Sequence, residues 1–576
     1  MKNGLLIVIC IGLTLACNLA FATDAKHPKY LIIEVTGIEK EALKNTVNRL
    51  DEKKQILKEN HSYASILKLY KTIPKEVEAA VRPYGYFRAA VHTSLKKIKG
   101  HWVAEVHVTP GKRLSISKTD IRITGPGIHN KAFLQFQKHI LIKAGDKFNS
   151  EKYEQTKNLL YRIASARGYF KAKMVKSKLI VNLNKYTSYV VIHFETGPRY
   201  LFGKTTLAKT PFHESFLRRF MYYKEGEPYS NRKLQETREA LESSNYFQRV
   251  IALPQIDKAK NLETPIDVQL PVQDQSTYTM GVGYGTDTGV RGILGMDYHW
   301  VNAYGHRFNS IIRGSAINSR AQATYVIPGF NPDKDQINIT SGIAKQDQDT
   351  GDGFGYRFGV SYQTMAKGWQ IIFGLTYLWE HYNLVDYPAT DTHLLYPSLL
   401  LQKIYADHLL NPSTGYNASF KIYGASSAVL SKANFLQTRA KIKTLFTLFG
   451  MTRILTRAEL GYTDIDDINS LPLSLQLFAG GALSIRGFQY NSIGPGRQMV
   501  TGSFEIQQRI YKDFYLAGFI DGGSVSDSFF ETPLKVGVGP GIVWVSPLGT
   551  IELTVANAIS NTNKPWVIQL SMGPVL

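Results

Sequence analysis

The sequence predicts three small α+β repeats followed by a 16-stranded antiparallel transmembrane β-barrel. Three observations carry this prediction. An aromatic turn recurs at intervals of about 80 residues through the first half, in Arg82-Pro83-Tyr84-Gly85-Tyr86-Phe87, Ala166-Arg167-Gly168-Tyr169-Phe170 and Ser244-Asn245-Tyr246-Phe247. From Tyr278 onward apolar and polar residues alternate at period two, with no helical layer between the strands. Charge divides at the same place: residues 23–275 hold 45 Lys plus Arg against 25 Asp plus Glu, whereas residues 276–576 hold 22 against 21.

Residues 1–22 read as a signal peptide, with Lys2 ahead of the apolar run Leu5–Ala16 and the small-x-small close Ala20-Phe21-Ala22. Both cysteines, Cys10 and Cys17, lie inside it. A mature chain beginning after Ala22 would have no thiol for disulfides, thiolate metal sites or nucleophiles. For an exported chain the basic first half points to anionic lipid or an acidic protein, and not to nucleic acid.

Each aromatic turn closes a predicted helix and leads into two alternating strands, which gives a β-α-α-β-β unit. The expected boundaries are 23–112, 113–197 and 198–274. Asn149 and Ser230 are suitable N-caps, and Gly or Asn ahead of the aromatic pair suits a left-handed helix C-cap.

In residues 275–576, Tyr278, Met280, Val282 and Tyr284 alternate with Thr279, Gly281, Gly283 and Gly285, and Trp566, Ile568, Leu570 and Met572 with Val567, Gln569 and Ser571. Some 300 residues of this pattern favour a barrel, because an open sheet edge in lipid costs several kcal/mol per unpaired backbone group. Sixteen segments fit, from 277–285 to 566–573. Leu471–Leu477 also alternates, but a seventeenth strand would put the two ends of the barrel on opposite sides, so it is assigned to an inserted loop, 464–496. Short connections such as Asn302–Gly305 are placed on the periplasmic side with the repeats.

The inserted loop contains Gly480 to Gly496, GGALSIRGFQYNSIGPG, which is longer than paired strands need. Arg486 is permanently charged, and its planar fork matches carboxylates such as Glu505 and Asp521 on the polar faces of neighbouring strands. Gly480, Gly481 and Gly487 permit close approach. No G-x-S-x-G elbow or paired histidines at metal spacing occur, so neither an enzyme nor a cofactor or metal site is expected.

The three tandem units resemble POTRA domains. Ile485-Arg486-Gly487-Phe488 is similar to the V/I-R-G-F/Y loop motif of the BamA/TamA superfamily of outer-membrane insertases and translocases, and Asp521-Gly522-Gly523 to its barrel-wall D-x-G motif. Three units and the ending Gly573-Pro574-Val575-Leu576 resemble the TamA branch. The resemblance implies outer-membrane location with periplasmic POTRA domains. It also implies insertion or translocation of autotransporter-like clients, contact with outer-membrane lipid and a TamB-like periplasm-spanning partner. The rivals are a two-partner-secretion exporter and a passive porin. A lateral seam is expected where the first strand, with Gly281, Gly283 and Gly285 on its lumenal face, meets the last, which ends at Gly573 and Pro574.

Overall fold

The computed structural model describes residues 31–55, 62–285, 289–385, 387–408, 411–546 and 549–573. The expected signal peptide and Pro574 lie outside these residues.

The first repeat comprises β1 (Leu31–Thr36), α1 (Lys40–Lys54), α2 (Tyr63–Val81), β2 (Ala90–Ile98) and β3 (His101–Thr109). The second comprises β4 (Ser115–Thr124), α3 (Lys131–Lys138), α4 (Ser150–Ala166), β5 (Lys173–Asn182) and β6 (Thr187–Glu195). The third comprises β7 (Leu201–Leu207), α5 (Glu214–Leu217), α6 (Asn231–Ser243), β8 (Ile251–Pro254) and β9 (Glu263–Gln269). The three sheets have the same order, first strand, third strand, second strand. The parallel pairings β1/β3 and β4/β6 require crossovers, which the helix pairs supply.

Local chemistry accounts for the helix ends. Asn149 caps α4 by accepting from the Glu151 N–H at 2.8 Å. Gly85, Gly168 and Asn245 sit at φ +93°, +83° and +61°, which returns the chain at each aromatic turn. Beneath the helices Ile73, Val77 and Val108 are buried in the first repeat, and Phe133, Leu160 and Phe194 in the second.

The barrel sheet begins with β10 (Ser276–Gly285), β11 (Gly289–Tyr298), β12 (Arg307–Ser315), β13 (Asn318–Pro328), β14 (Gln336–Gln348), β15 (Gly351–Ala366), β16 (Trp369–Leu384) and β17 (Thr390–Ala406). It continues with β18 (Thr414–Ala425), β19 (Phe435–Leu448) and β20 (Thr452–Ile465). After the inserted loop come β23 (Gln498–Tyr511), β24 (Phe514–Ser526), β25 (Lys535–Ser546), β26 (Gly549–Asn557) and β27 (Trp566–Gly573). All sixteen follow sequence order in one antiparallel sheet. The loop holds a separate pair, β21 (Leu477–Ala479) and β22 (Ile493–Gly496), so Leu471–Leu477 forms no barrel strand. Met280 and Val282 are 81% and 93% exposed, which fixes the apolar face as the outer one.

The chain divides into two compact units. One runs to Gly203 with 225–232 and 256–264, and the other holds 204–224, 233–255 and 265–576. The third repeat is thus split, and most of it packs with the barrel. Tyr246 of its aromatic turn donates to the Gly305 carbonyl at 2.6 Å, and the His213 N–H donates to Ala303 at 2.8 Å. Phe216 lies so close to Gly305 that a Cβ there would be 2.2 Å from the ring. Arg219 donates to the carbonyls of Pro328 and Phe330.

Candidate functional site

β20 and β23 are neighbours in the sheet, and the thirty-odd residues between them turn into the lumen. The loop bonds to strands on two sides of the lumen. Tyr382 of β16 donates to the Asn469 carbonyl at 2.8 Å, and Gln437 of β19 to Leu475 at 3.0 Å. Glu380 accepts from the Ser474 N–H at 3.0 Å, and Asn491 donates to Gln348 of β14 at 2.9 Å. Leu471 and Leu475 bury themselves against Leu378, Leu394 and Tyr396.

Arg486 is the centre of the opposite attachment and is 1% exposed. Its Nε donates to Asp521 Oδ2 at 2.7 Å and its Nη2 to Asp521 Oδ1 at 2.9 Å, the fork-to-fork geometry a carboxylate favours. Nη1 donates to Glu505 Oε2 at 2.6 Å and to Glu552 Oε1 at 2.7 Å, and Nη2 also reaches Ser503 Oγ at 3.3 Å. All five guanidinium N–H groups are therefore engaged. The backbone N–H of Arg486 adds a 3.0 Å bond to Asp521 Oδ2, and the guanidinium carbon lies 3.5 Å from the Phe519 ring centroid. Arg457 of β20 approaches Asp521 at 3.7 Å as a second cation.

The flanking motif residues hold this geometry. Ile485 and Phe488 join Leu477, Ile493, Met499 and Val525 in a buried apolar cluster. Gly480, Gly481 and Gly487 have φ of +108°, +98° and +92°. A Cβ on Gly480 would lie 2.4 Å from the Gln489 carbonyl oxygen. Gly487 uses its N–H to reach Gln569 Oε1 on β27 at 3.2 Å, and Gln569 Nε2 returns a bond to the Phe488 carbonyl at 3.3 Å.

Arg486, Asp521 and Glu505 are thus brought together, but Gly522 plays no part in making room, since a Cβ there meets nothing nearer than 3.9 Å. The space is supplied by Gly537, where a Cβ would be 1.8 Å from the Arg486 carbonyl oxygen, and by Gly523, where it would be 2.4 Å from that of Val500. Sequence reasoning also missed Glu552, Ser503, Phe519 and Gln569. The available signal for Glu552 was a carboxylate between Ile551 and Leu553 on the polar face of its strand. Gly281 and Gly283 face inward on β10, and Gly285 and Gly573 lie at strand ends. Among the described residues no backbone ladder joins β10 to β27. β10 and β27 are nevertheless in contact.

The chain matches the Omp85 superfamily domain over residues 304–574. It matches the POTRA domain TamA domain 1 over 32–110, and the POTRA repeat described as surface antigen variable number repeat over 119–197 and 205–270. A solved structure of BamA from Haemophilus ducreyi lacking POTRA domains 1–3 shares the fold at TM-score 0.66 and 18% identity, covering 79% of this chain and 99% of that one. CdiB from Acinetobacter baumannii gives TM-score 0.48 at 13% identity, over 80% of this chain and 90% of its own.

Proposed function

This chain belongs to the Omp85 superfamily, with a first repeat of the TamA POTRA type, and from that premise we propose that it assembles or secretes autotransporter-like clients through the β10/β27 seam. Membership makes it an outer-membrane insertase or translocase with its POTRA repeats in the periplasm. The client class, the route and a TamB-like periplasmic partner are the parts proposed here.

The observation that supports the route is the contrast between fifteen antiparallel ladders and, among the described residues, no sixteenth ladder between β10 and β27. Separating two laddered strands in lipid would strand a row of backbone groups at several kcal/mol each. Among the described residues, no such row joins β10 to β27. A client strand added to either edge would satisfy backbone groups on both chains before it meets hydrocarbon. The lumenal loop serves as a prop: Arg486 and Gln569 bind it to β23, β24, β26 and β27, so the carboxy-terminal edge stays ordered while the seam is open. The filled lumen also disfavours a passive pore.

The test is reconstitution in liposomes with an unfolded autotransporter-type barrel as client. A disulfide placed between cysteines introduced in β10 and β27 is expected to stop client folding, and reduction to restore it. Full activity of a verified locked form would refute the seam route.

A further inference from the structure

The lumen wall of β12 to β19 carries a second set of charges, most of which have no carboxylate partner among the described residues. Strand alternation and register place Arg313, Arg320, Arg357, Lys421, Arg439, Lys441 and Lys443 on the inward faces of β12 to β19, the faces that carry the loop contacts of Gln348, Tyr382 and Gln437. Among the described residues the one inward carboxylate on these strands is Glu380, and it is committed to the loop at Ser474. Glu459 of β20 serves Arg439 at 2.6 Å and Lys441 at 3.0 Å. Arg313, Arg320, Arg357, Lys421 and Lys443 have no carboxylate within 4.0 Å among the described residues.

The register makes this arrangement costly. Arg313 stands directly opposite Arg320, Lys421 opposite Arg439, and Lys443 opposite Arg457. Directly opposed like charges destabilise a sheet. Arg453 on β20 adds a separate sign: its side chain is 2% exposed and lies over the Tyr515 ring, and among the described residues Nε, Nη1 and Nη2 have no hydrogen-bond partner. A buried cation without hydrogen bonds is unfavourable.

We propose that the lumen is a binding chamber for phosphate-bearing anions, the basic wall of β12 to β20 supplying the countercharge. A multivalent oxyanion suits paired cations better than single carboxylates do, because one phosphate group can bridge two opposed side chains and match an Arg fork. The chemistry is shared by free phosphates and by phosphorylated lipid headgroups. It does not depend on the seam route.

The test is calorimetric titration of the full chain, in neutral detergent at fixed ionic strength, with sodium pyrophosphate and separately with micelles containing phosphatidic acid. Saturable binding is expected in at least one arm: the pyrophosphate arm alone identifies a site for free phosphates, and the micelle arm alone a headgroup site. In the arm that binds, Arg313→Gln/Arg320→Gln and Lys421→Gln/Lys443→Gln should each weaken binding by about tenfold. Lys176→Gln/Lys178→Gln, an equal charge change on β5, should change it by less than about twofold. Without anion the lumen variants should melt no lower than the parent chain, because like-charge repulsion has been relieved. No binding in either arm, equal loss from the β5 variant, lower melting of the anion-free lumen variants, or tighter binding of an oligoglutamate peptide of equal charge would overturn the proposal.

Discussion

Gln569 on the last strand and Gly487 in the lumenal loop are joined at 3.2 Å, and the same amide returns a 3.3 Å bond to the next carbonyl. Gln569 is 1% exposed, so water cannot replace it. Gln569→Leu leaves a buried N–H and carbonyl unmatched, an expected loss of about 1–3 kcal/mol. Limited proteolysis of the folded barrel should then cut within 477–496; unchanged resistance would show that β27 does not secure the loop.

Arg486→Ala leaves Asp521, Glu505 and Glu552 facing one another around a void. Removing one partner from a buried ionic cluster costs about 3–5 kcal/mol. Arg486→Lys should recover only part of this, since three donors replace five and the two-pronged grip on Asp521 is lost. Urea unfolding midpoints of the refolded barrel test the order parent, Lys, Ala; a Lys variant as stable as the parent would contradict the geometry.

Gly305→Val drives a side chain into Phe216 and should loosen the third repeat from the barrel. Tyr246→Phe removes the bond to the same glycine's carbonyl, worth about 1 kcal/mol. Spin-label distances between α6 and the 302–305 turn should broaden markedly for Gly305→Val and slightly for Tyr246→Phe. Sharp, unshifted distances in the valine variant would contradict the contact.

Much of this was legible in the sequence because strand alternation and helix termination are local. Met280 and Val282 announce an outer face, and Gly168 before Tyr169-Phe170 announces a helix end, without knowledge of any neighbour. Arg486 with Asp521 was legible because a lone cation in a glycine-rich loop has few reasons to exist beside a carboxylate wall. Glu552, Gln569 and Gly537 were not, because a single polar or small residue on an inward face looks like any other wall residue until register brings it to the loop. The docking of Tyr246 was hidden for a similar reason. Its repeated turn suggests a core aromatic, and only the barrel turn at Gly305 gives its hydroxyl a partner.

In the second repeat, His193 Nε2 at 3.0 Å and Arg122 Nε at 2.6 Å hold the Asp120 carboxyl from 3.8 down to about 2. A carboxyl lowered by folding adds stability above its unfolded value, and that contribution disappears as pH falls through the folded value. The repeat should therefore lose stability between about pH 4 and about pH 2, and Asp120→Asn should flatten that part of the curve. Melting of the full chain followed through the repeat's tyrosines tests this; identical slopes in both proteins would remove Asp120 as the cause.

The most direct test of the account is photocrosslinking of a client caught during assembly. A crosslinking side chain on β10 at Thr279 or Gly283 should trap the client's terminal strand, and one at Ser419 on β18, in the continuous wall, should not. Client assembly that completes without any adduct to β10, or with equal adducts to β18, would contradict entry at the seam.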